Sequence, residues 1–305
     1  LRNWMFDIGL KKSRSFDIPV ISVGNITVGG SGKTPHVEYL INLLRDKVKV
    51  AVLSRGYKRK SKGYMLATAD TPMSDIGDEP YQMKKKFADI YVAVDKDRCH
   101  GIDQLTANEE TSDTDVILLD DAYQHRYVKP GVNILLVDYH RLIMYDKLLP
   151  AGRLREPQKG KARADIVIVS KCPAELKPME FRVITKAMNL FPYQKLYFTT
   201  LKYGSLRPIY GGEDRKLDTL TGDTSILLLT GIASPQQMIV DLKPYTERIT
   251  PLTFPDHHQY TDADIDRINA EFEAMKGNDK MIVTTEKDNA RLCGMEGLSD
   301  EVKKN

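Results

Sequence analysis

Lys33 and Thr34 end a glycine-rich segment that follows the apolar run Ile21–Val23. In such a segment, glycines let backbone N–H groups converge on phosphate oxygens, a lysine ammonium group reaches the β- and γ-phosphates, and a hydroxyl ligates Mg²⁺. The sequence therefore predicts a cradle for a nucleoside triphosphate and its magnesium ion. The residues of this cradle are Thr27, Val28, Gly29, Gly30, Ser31, Gly32, Lys33 and Thr34.

Thr27 departs from the usual phosphate-loop pattern, which has glycine at this position. The context still supports the prediction, because a strand-like run precedes the loop and residues His36–Arg45 carry apolar side chains at helical spacing. The alternative interpretation is a simple glycine turn between a strand and a helix, with a surface lysine.

Two adjacent acids, Asp120 and Asp121, follow the apolar run Val116–Leu119. Carboxylates at the end of a buried strand beside a phosphate loop can hold Mg²⁺, either directly or through water. We therefore predict that Thr34, Asp120 and Asp121 bind the metal. A helix cap after the strand is the alternative. Asp138 ends a similar run, and a structural role is the better interpretation there.

Two further groups could handle protons. Asp78 and Glu79 lie in the sequence Gly77–Pro80, which is also typical of a helix start with Asp78 as the N-cap and Glu79 and Pro80 in the first turn. The sequence Asp256–His258 could be a polar turn, or it could supply a histidine that acts with a carboxylate.

Strand-like and helix-like segments alternate through the first two thirds of the chain, which predicts a mostly parallel sheet with helices on both faces. A second, smaller α/β unit is expected after residue 223. The predicted strands are Val48–Ser54, Ile90–Val94, Val116–Leu119, Ile134–Val137, Ile166–Val169, Ile226–Leu229 and Met281–Thr284, and the predicted helices include Glu79–Phe87, Asp97–Ala107 and Asp262–Met275.

The pattern changes near Tyr197, where two extended runs, Leu196–Tyr203 and Leu206–Tyr210, precede a pair of glycines and a charged stretch. We expect a β-ribbon that acts as a hinge, so that two lobes can close over the reactants. The expected divisions are an N-terminal segment (1–16), a phosphate-loop core (17–195), the ribbon (196–223) and a C-terminal lobe (224–305).

The 305 residues are 41% hydrophobic and 29% charged, which is the balance of a globular protein with a sizeable core. The net charge of +3 is too small to indicate binding to nucleic acid. Three cysteines without metal-ligand spacing argue against a disulfide framework and favour a reducing compartment.

The N-terminal segment has apolar residues at positions 1, 4, 5 and 8, and basic residues at positions 11, 12 and 14. An amphipathic helix with its tryptophan, Trp4, beside basic residues is typical of helices that lie in a membrane interface. A helix packed on its own domain fits the same spacing equally well.

Several motifs, taken in order, resemble those of the tetraacyldisaccharide 4'-kinase family, the lipid A 4'-kinases, over nearly the whole chain. That family also has threonine at the position of Thr27. The motifs are Val23–Pro35, Ser54–Tyr57, Gly77–Pro80, Asp120–Arg126, Leu149–Pro157, Phe254–His257 and Thr284–Asp288.

The resemblance implies a P-loop kinase that transfers the γ-phosphate of ATP to the 4'-hydroxyl of a tetraacyl glucosamine disaccharide 1-phosphate, forming lipid IVA. It implies a peripheral protein at the cytoplasmic face of the bacterial inner membrane, with ATP and Mg²⁺ as cofactors and a lipid as substrate. Neither nucleic acid nor a protein partner is expected.

The resemblance also assigns roles to residues. Asp78 would be the general base, aligned by His257, while Glu79 assists and Lys33 meets the transferred phosphate. Further site residues by the same resemblance are Arg155 and, at the cofactor, Gln124, His125 and Glu156. Three other arginines could meet phosphate charge or could be plain surface residues: Arg55, Arg126 and Arg153.

A protein of another class, a nucleotide-driven switch or metallochaperone NTPase, would use the same loop without phosphorylating an acceptor. Guanine-reading loops place Asn-Lys-x-Asp after a strand such as Ile166–Val169. Here Ser170 and Pro173 stand at the asparagine and aspartate positions, which disfavours guanine specificity. A non-catalytic nucleotide-binding module is a third interpretation, and Lys33 with Thr34 argues against it.

Overall fold

The chain forms two compact units, Leu1–Leu201 and Lys202–Asn305. The computed structural model describes residues 2–232, 235–256, 258–292 and 295–304. Each unit has its own sheet and its own apolar core. No helix within these ranges is long and apolar enough to cross a membrane.

The first unit is built on an eight-stranded sheet. Its strands are β1 (Val20–Gly24), β2 (Val50–Ser54), β3 (Met65–Leu66), β4 (Tyr91–Val94), β5 (Val116–Asp120), β6 (Val132–Asp138), β7 (Ile166–Ser170) and β8 (Lys195–Phe198). They lie in the order β3-β4-β2-β5-β1-β6-β7-β8, and every pairing is parallel except that of β3 with β4. The prediction of a mostly parallel sheet is confirmed.

Helices cover both faces of this sheet, which explains why its central strands are mostly apolar. Val52 of β2 packs in the apolar cluster that contains Val37, whereas its neighbour Leu53 packs in the cluster that contains Ile102. Successive residues of a strand point to opposite faces, so these clusters lie on the two sides of the sheet. The helices are α1 (Arg2–Asp7), α2 (Lys33–Leu44), α3 (Met73–Ile76), α4 (Asp78–Lys86), α5 (Arg98–Ala107) and α6 (Pro178–Met188).

The start of α5 agrees with the sequence prediction because Asp97 caps it. Its Oδ1 atom accepts hydrogen bonds from the backbone N–H groups of Cys99 at 2.9 Å and His100 at 3.4 Å. A side-chain acceptor at this position satisfies donors that the first helical turn leaves unpaired.

The N-terminal helix α1 packs on the first unit through Phe6, which the predicted apolar face did not include. The Phe6 ring is 8% exposed and lies 5.0 Å from the ring of Tyr127. Trp4 and Ile8, both on the predicted face, are 53% and 50% exposed. The helix is therefore docked and also presents an apolar side to solvent.

The second unit is a smaller α/β structure, as the sequence predicts. Its three strands are all parallel and lie in the order β10-β9-β11. Ile265, Ile268 and Phe272 of one helix pack against Leu227 and Leu229 of the central strand. The elements are β9 (Ser225–Thr230), α7 (Gln236–Leu242), β10 (Ile249–Thr253), α8 (Asp262–Ala274), β11 (Lys280–Thr284), α9 (Glu286–Leu292) and α10 (Asp300–Lys304).

The expected β-ribbon is wrong at its first strand. Residues 195–198 form β8, which pairs in parallel with β7 at the edge of the large sheet. Leu196 and Phe198 pack against the core below this edge, so the alternation of apolar residues came from an edge strand. The run Leu206–Tyr210 forms no strand; it contains one antiparallel bridge, from Leu206 to Arg215.

Gly24 is required by a close approach between the end of β1 and the loop after β5. A Cβ atom at this position would lie 2.7 Å from Cβ and 2.9 Å from the backbone nitrogen of Tyr123. We expect Gly24→Ala to lower the free energy of unfolding by about 1–3 kcal/mol, because the backbone must shift. The measurement is urea unfolding, with Gly131→Ala, whose nearest contact would be 3.6 Å, as the matched control. Equal stabilities of the two variants would contradict the prediction.

Candidate active site

Three neighbouring parallel strands, β2, β5 and β1, bring the predicted site residues to one edge of the large sheet. Val23 of β1 is in register with Asp120 of β5, and Leu53 of β2 with Leu119. Because the strands run in the same direction, the segments that follow them leave the sheet side by side. The Ser54 hydroxyl at the end of β2 donates a hydrogen bond to Oδ2 of Asp120 at 3.3 Å.

The predicted phosphate loop connects β1 to α2. Gly29 and Gly32 have φ values of 105° and 78°, which lie in the region that favours glycine. Gly32 directly precedes Lys33, the first residue of α2. The loop therefore runs directly into the first turn of α2, and a helix N-terminus is where an anion site is expected.

The first half of the loop is held by the segment that contains Arg153, Leu154 and Arg155. The N–H of Val28 donates to the carbonyl of Arg153 at 2.8 Å, and the N–H of Arg155 donates to the carbonyl of Ile26 at 2.8 Å. Between them, Thr27 and Leu154 form an antiparallel bridge. Two motifs that are far apart in the sequence thus pair as one short antiparallel ladder.

Asn25, which the sequence analysis gave no role, joins the two halves of the loop. Its side chain is buried, and its Nδ2 atom donates to the hydroxyls of Ser31 at 2.7 Å and Thr27 at 3.4 Å. Its Oδ1 atom accepts a hydrogen bond from Arg155. Substitution of a buried amide with this many contacts would leave several polar groups unpaired.

Lys33 and Asp121 face each other across the loop. The Nζ atom of Lys33 lies 3.6 Å from Oδ1 of Asp121, and Nη2 of Arg155 lies 3.3 Å from the same oxygen. Asp121 has a φ of 46°, an uncommon value for a residue other than glycine. The structure therefore places two cations and one acid at the mouth of the predicted triphosphate site.

Asp120 is 4% exposed, and its Oδ1 atom is buried without a hydrogen-bond partner in the described part of the chain. Burial raises the pKa of Asp120 to about 6, and the negative charges of Asp121 and Glu79 add to this rise. Lys33 opposes it. A buried carboxylate oxygen with no donor suits a divalent cation, so the residues present fit Mg²⁺. Thr34, the third predicted ligand, lies in the first turn of α2.

Asp78 and Glu79 are the first two residues of α4. The residue at the N-cap is Gly77, and no side chain caps the helix there, so the alternative in which Asp78 is the cap is wrong. A Cβ atom on Gly77 would lie 2.9 Å from the carbonyl oxygen of Tyr57, which places the start of α4 against the segment after β2. Glu79 is close enough to Asp120 to raise its pKa.

Glu156 and Gln124 belong to a hydrogen-bonded group next to Asn25, at the start of the phosphate loop. Glu156 is 3% exposed, and each of its carboxylate oxygens accepts from Arg163 at 2.8 Å. It also accepts from Gln124 at 3.2 Å and from Asn3 of α1 at 2.8 Å. Gln124 in turn donates to the carbonyl of Asn25. These contacts support the phosphate loop; cofactor binding by Gln124 and Glu156 stays a prediction.

His125 shares a cluster with Asp97 and Cys99, whose potential ligand atoms lie within 4.8 Å of one another. Burial lowers the pKa of His125 to about 4, and the positive charge of Arg98 lowers it further. The same positive charge repels a cation, and Asp97 is occupied as the cap of α5. The cluster is therefore unsuited to a metal ion.

The other predicted arginines have different surroundings. Arg153 borders the phosphate loop, because its Nη1 atom lies 3.8 Å from the place of a Cβ atom at Gly29. Arg126 binds Asp7 of α1 at 2.7 Å, so it anchors that helix. Arg55 lines a cavity of ≈ 360 Å³ with four other cationic side chains and no carboxylate. The cationic residues are Arg55, Lys58, Arg59, Lys62 and Lys96.

In the second unit, Asp288 of the motif Thr284–Asp288 forms a buried ion pair with Arg291 that sequence reasoning missed. Asp288 lies 3.2 Å from Arg291, and both side chains are fully buried. Asp288 also accepts from the N–H of Gly231 at 3.0 Å and from Thr285 at 2.8 Å. The predicted base partner, His257, lies outside the described residues.

Comparison with known proteins decides the family. Residues 1–302 match the family described as "Tetraacyldisaccharide-1-P 4'-kinase". The chain is 60% identical over 305 residues to the tetraacyldisaccharide 4'-kinase of Phocaeicola vulgatus, covering 100% of this chain and 83% of that protein. The chain belongs to the tetraacyldisaccharide-1-P 4'-kinase family.

Two further comparisons agree with this membership. The tetraacyldisaccharide 4'-kinase of Bacteroides thetaiotaomicron is 54% identical over 311 residues, covering 99% of this chain and 82% of that protein. The crystal structure of LpxK from Aquifex aeolicus in complex with ATP matches with a TM-score of 0.70 at 32% identity, covering 96% of this chain and 85% of that chain. The P-loop fold of this tetraacyldisaccharide-1-P 4'-kinase family member is thus confirmed, and a switch or metallochaperone NTPase is not favoured.

Asp120→Asn should stabilise the metal-free protein. The native state raises the pKa of Asp120 to about 6, so between about pH 4 and pH 6 the folded chain holds a proton that the unfolded chain has lost. The contribution of Asp120 to stability therefore falls as the pH rises through this window. We expect the free energy of unfolding of the variant, relative to that of the parent, to rise by about 1–3 kcal/mol as the pH goes from 4 to 8.

Urea unfolding in the presence of a chelator measures this gain. Asp70→Asn, which changes an exposed acid, is the matched control and should show no gain that grows with pH. A difference between Asp120→Asn and the parent that is independent of pH would contradict the prediction.

Proposed function

We propose that this protein transfers the γ-phosphate of ATP to the 4'-hydroxyl of a tetraacyl glucosamine disaccharide 1-phosphate, forming lipid IVA in lipid A biosynthesis. The observation that carries the proposal is the 3.6 Å approach of Lys33, which follows the glycine loop, to Asp121, which follows the buried Asp120 at the end of β5. Phosphoryl transfer depends mainly on positioning and on neutralising charge, and this arrangement supplies both.

ATP would lie with its phosphates on the N–H groups of the loop from Thr27 to Gly32, and Lys33 would meet the β- and γ-phosphates. Thr34, Asp120 and Asp121 would hold Mg²⁺, which would neutralise charge on the phosphates when bound. The orphaned oxygen of Asp120 supports its role as a ligand. Asp121 would exchange its contact with Lys33 for contact with the metal or its water.

Asp78 would accept the proton of the attacking 4'-hydroxyl, and His257 would align it or share that proton. Asp78 heads α4, whose start packs beside the segment after β2, and Glu79 is close enough to affect Asp120. These observations support a base near the metal site. The role of His257 rests on the sequence resemblance alone.

The cationic cavity after β2 would receive the 1-phosphate of the acceptor. Its five cations and its lack of lining carboxylates favour a dianionic group. Gly56 lines this cavity. A Cβ atom added at Gly56 would lie 2.9 Å from the carbonyl oxygen of Ile76, two residues before Asp78. The cavity therefore lies in the neighbourhood of the proposed base.

We propose that α1 contacts the membrane that holds the acylated substrate, at the cytoplasmic face of the bacterial inner membrane. Trp4, Ile8 and Leu10 are 53%, 50% and 67% exposed, and the basic residues Lys11 and Lys12 follow. An exposed apolar side beside basic residues is suited to the interface of an anionic bilayer. Because Phe6 fixes the helix to the first unit, the contact would be peripheral.

The test is the fate of labelled phosphate. The protein is incubated with γ-labelled ATP, with and without tetraacyl disaccharide 1-phosphate in detergent micelles, and the label is traced to lipid or to inorganic phosphate. We expect label in the lipid, in an amount equal to the ADP formed. Lys33→Ala, which removes the charge at the transferring phosphate, is the inactive control. ADP formation at the same rate without acceptor, with the label in inorganic phosphate, would contradict the proposal.

The proposed base and its partner should act as one unit. We expect Asp78→Ala and His257→Ala each to lower kcat by about 10²–10⁴-fold, because proton transfer is impaired. The double variant should be little worse than the poorer single variant, since residues that act together are not additive. Steady-state kinetics with an ADP-binding control measures this. Fully multiplicative losses, or lost nucleotide affinity that accounts for them, would leave Asp78 and His257 with separate, structural roles.

The five cations of the cavity predict that it recognises the 1-phosphate of the acceptor. In the double variant Lys58→Met and Lys62→Met, we expect KM for the 1-phosphorylated acceptor to rise about 3- to 10-fold, as loss of two exposed ion pairs would give. KM for the same acceptor without its 1-phosphate should not change. Lys47→Met, at an exposed position in the turn after α2, is the matched charge control. An equal rise for both acceptors would exclude 1-phosphate recognition by this cavity.

A further inference from the structure

Three consecutive carbonyl groups of the phosphate loop are held by side chains from outside it. The carbonyl of Gly30 accepts from Nζ of Lys171, that of Ser31 accepts from the hydroxyl of Ser170 at 2.9 Å, and that of Gly32 accepts from Nδ1 of His36 at 2.7 Å. Lys171 and Ser170 lie at the end of β7, two strands away from β1 in the sheet.

These contacts fix the direction in which the loop presents its backbone. The C=O and N–H bonds of a peptide unit are antiparallel, so a carbonyl turned towards β7 or α2 turns the N–H of the next residue to the opposite side. With the three carbonyls from Gly30 to Gly32 held by these side chains, the N–H groups of Ser31, Gly32 and Lys33 are turned away from them, to the side on which phosphate oxygens would bind.

Lys171 is itself fixed. Its ammonium group lies 2.7 Å from Oδ2 of Asp138, at the end of β6, and its φ of 58° is unusual for a residue with a side chain. Asp138 also accepts from the N–H of His140 at 2.9 Å, so the acid is fixed from both sides. The strand-end acid that resembles Asp120 in sequence thus serves the loop through a lysine and not through a metal.

His36 is held at both ring nitrogens. Since a carbonyl can only accept, Nδ1 carries the proton that it donates to Gly32, and Nε2 lies 3.0 Å from the hydroxyl of Thr199 after β8. Burial lowers the pKa of His36, which favours the neutral ring with this tautomer. The hydroxyl of Thr199 then donates to Nε2.

We propose that Lys171, Ser170 and His36 are positioning residues that pre-organise the phosphate loop, with Lys171 making the main contribution through its pair with Asp138. They act on the nucleotide through the loop backbone and do not touch it. This inference rests on the proposed function only in taking the loop to bind nucleotide phosphates, and it assigns a role to a strand end that a guanine-binding protein would use to read the base.

The test compares ligands that differ only in their phosphates. Calorimetry measures the affinities of Lys171→Met for Mg²⁺-ADP, AMP and adenosine. We expect ADP binding to weaken about tenfold, because a charge-assisted hydrogen bond that orders the loop is lost, while adenosine binding stays within twofold of the parent. Lys195→Met removes the same charge from the neighbouring edge strand, where its side chain is exposed, and should bind all three ligands as the parent does.

A cycle with Asp138→Asn tests the proposed route. If Asp138 acts by fixing Lys171, the double variant should bind ADP no more weakly than Lys171→Met alone. Ser170→Ala, which loses one hydroxyl, supplies the same ligand comparison if Lys171→Met does not fold, with a smaller expected loss confined to ADP.

Two results would overturn the inference. One is ADP binding by Lys171→Met, or by Ser170→Ala in its place, that equals that of the parent. The other is an equal loss for ADP and adenosine, which would place the effect at the base and not at the phosphates. A parent that binds ADP but transfers no phosphate to the acceptor would defeat the proposed function and leave this inference intact.

Discussion

A phosphate loop can present its N–H groups to an anion only if the carbonyl groups of the same segment are satisfied elsewhere. In this chain that requirement organises the surroundings of the site. The carbonyl of Ile26 accepts from Arg155, and those of Gly30, Ser31 and Gly32 accept from Lys171, Ser170 and His36. An unpaired backbone carbonyl at a buried position would cost stability and would compete for the donors meant for the ligand. Ser170 and Lys171 make these contacts from the end of β7, and His36 makes its contact from α2.

Burial of the Asp120 carboxyl group determines the electrostatics at this edge of the large sheet. Asp120 is kept from water, and the raised pKa of its carboxyl group records the cost of a negative charge there. A divalent ion held by this carboxylate, as proposed above, would offset that cost. The half-buried Asp121 beside it is paired with two cations, Lys33 and Arg155.

The sequence predicts those parts of the structure that depend on local patterns. The run from β1 through the glycines into α2, and the acids at the end of β5, could be identified because strand, loop and helix are contiguous. The side chains that hold the loop carbonyls could not be identified from the sequence. Ser170 is 139 residues from Ser31 and Lys171 is 141 residues from Gly30, and no local pattern joins them. The alternation at 196–198 is the same for an edge strand and a ribbon. Phe6, and not the regularly spaced Trp4, anchors α1 because Tyr127 and Arg126 meet it there.

Amide hydrogen exchange, resolved by residue, tests most directly whether this loop is the phosphate site. The exchange rates of the backbone N–H groups from Gly29 to Lys33 are measured with and without saturating Mg²⁺-ADP. If the N–H groups receive the phosphates, exchange slows at these residues, while exchange at the exposed N–H groups of the second unit is unchanged. Binding of the nucleotide with no change in exchange between Gly29 and Lys33 would show that the phosphates lie elsewhere and would contradict the central claim.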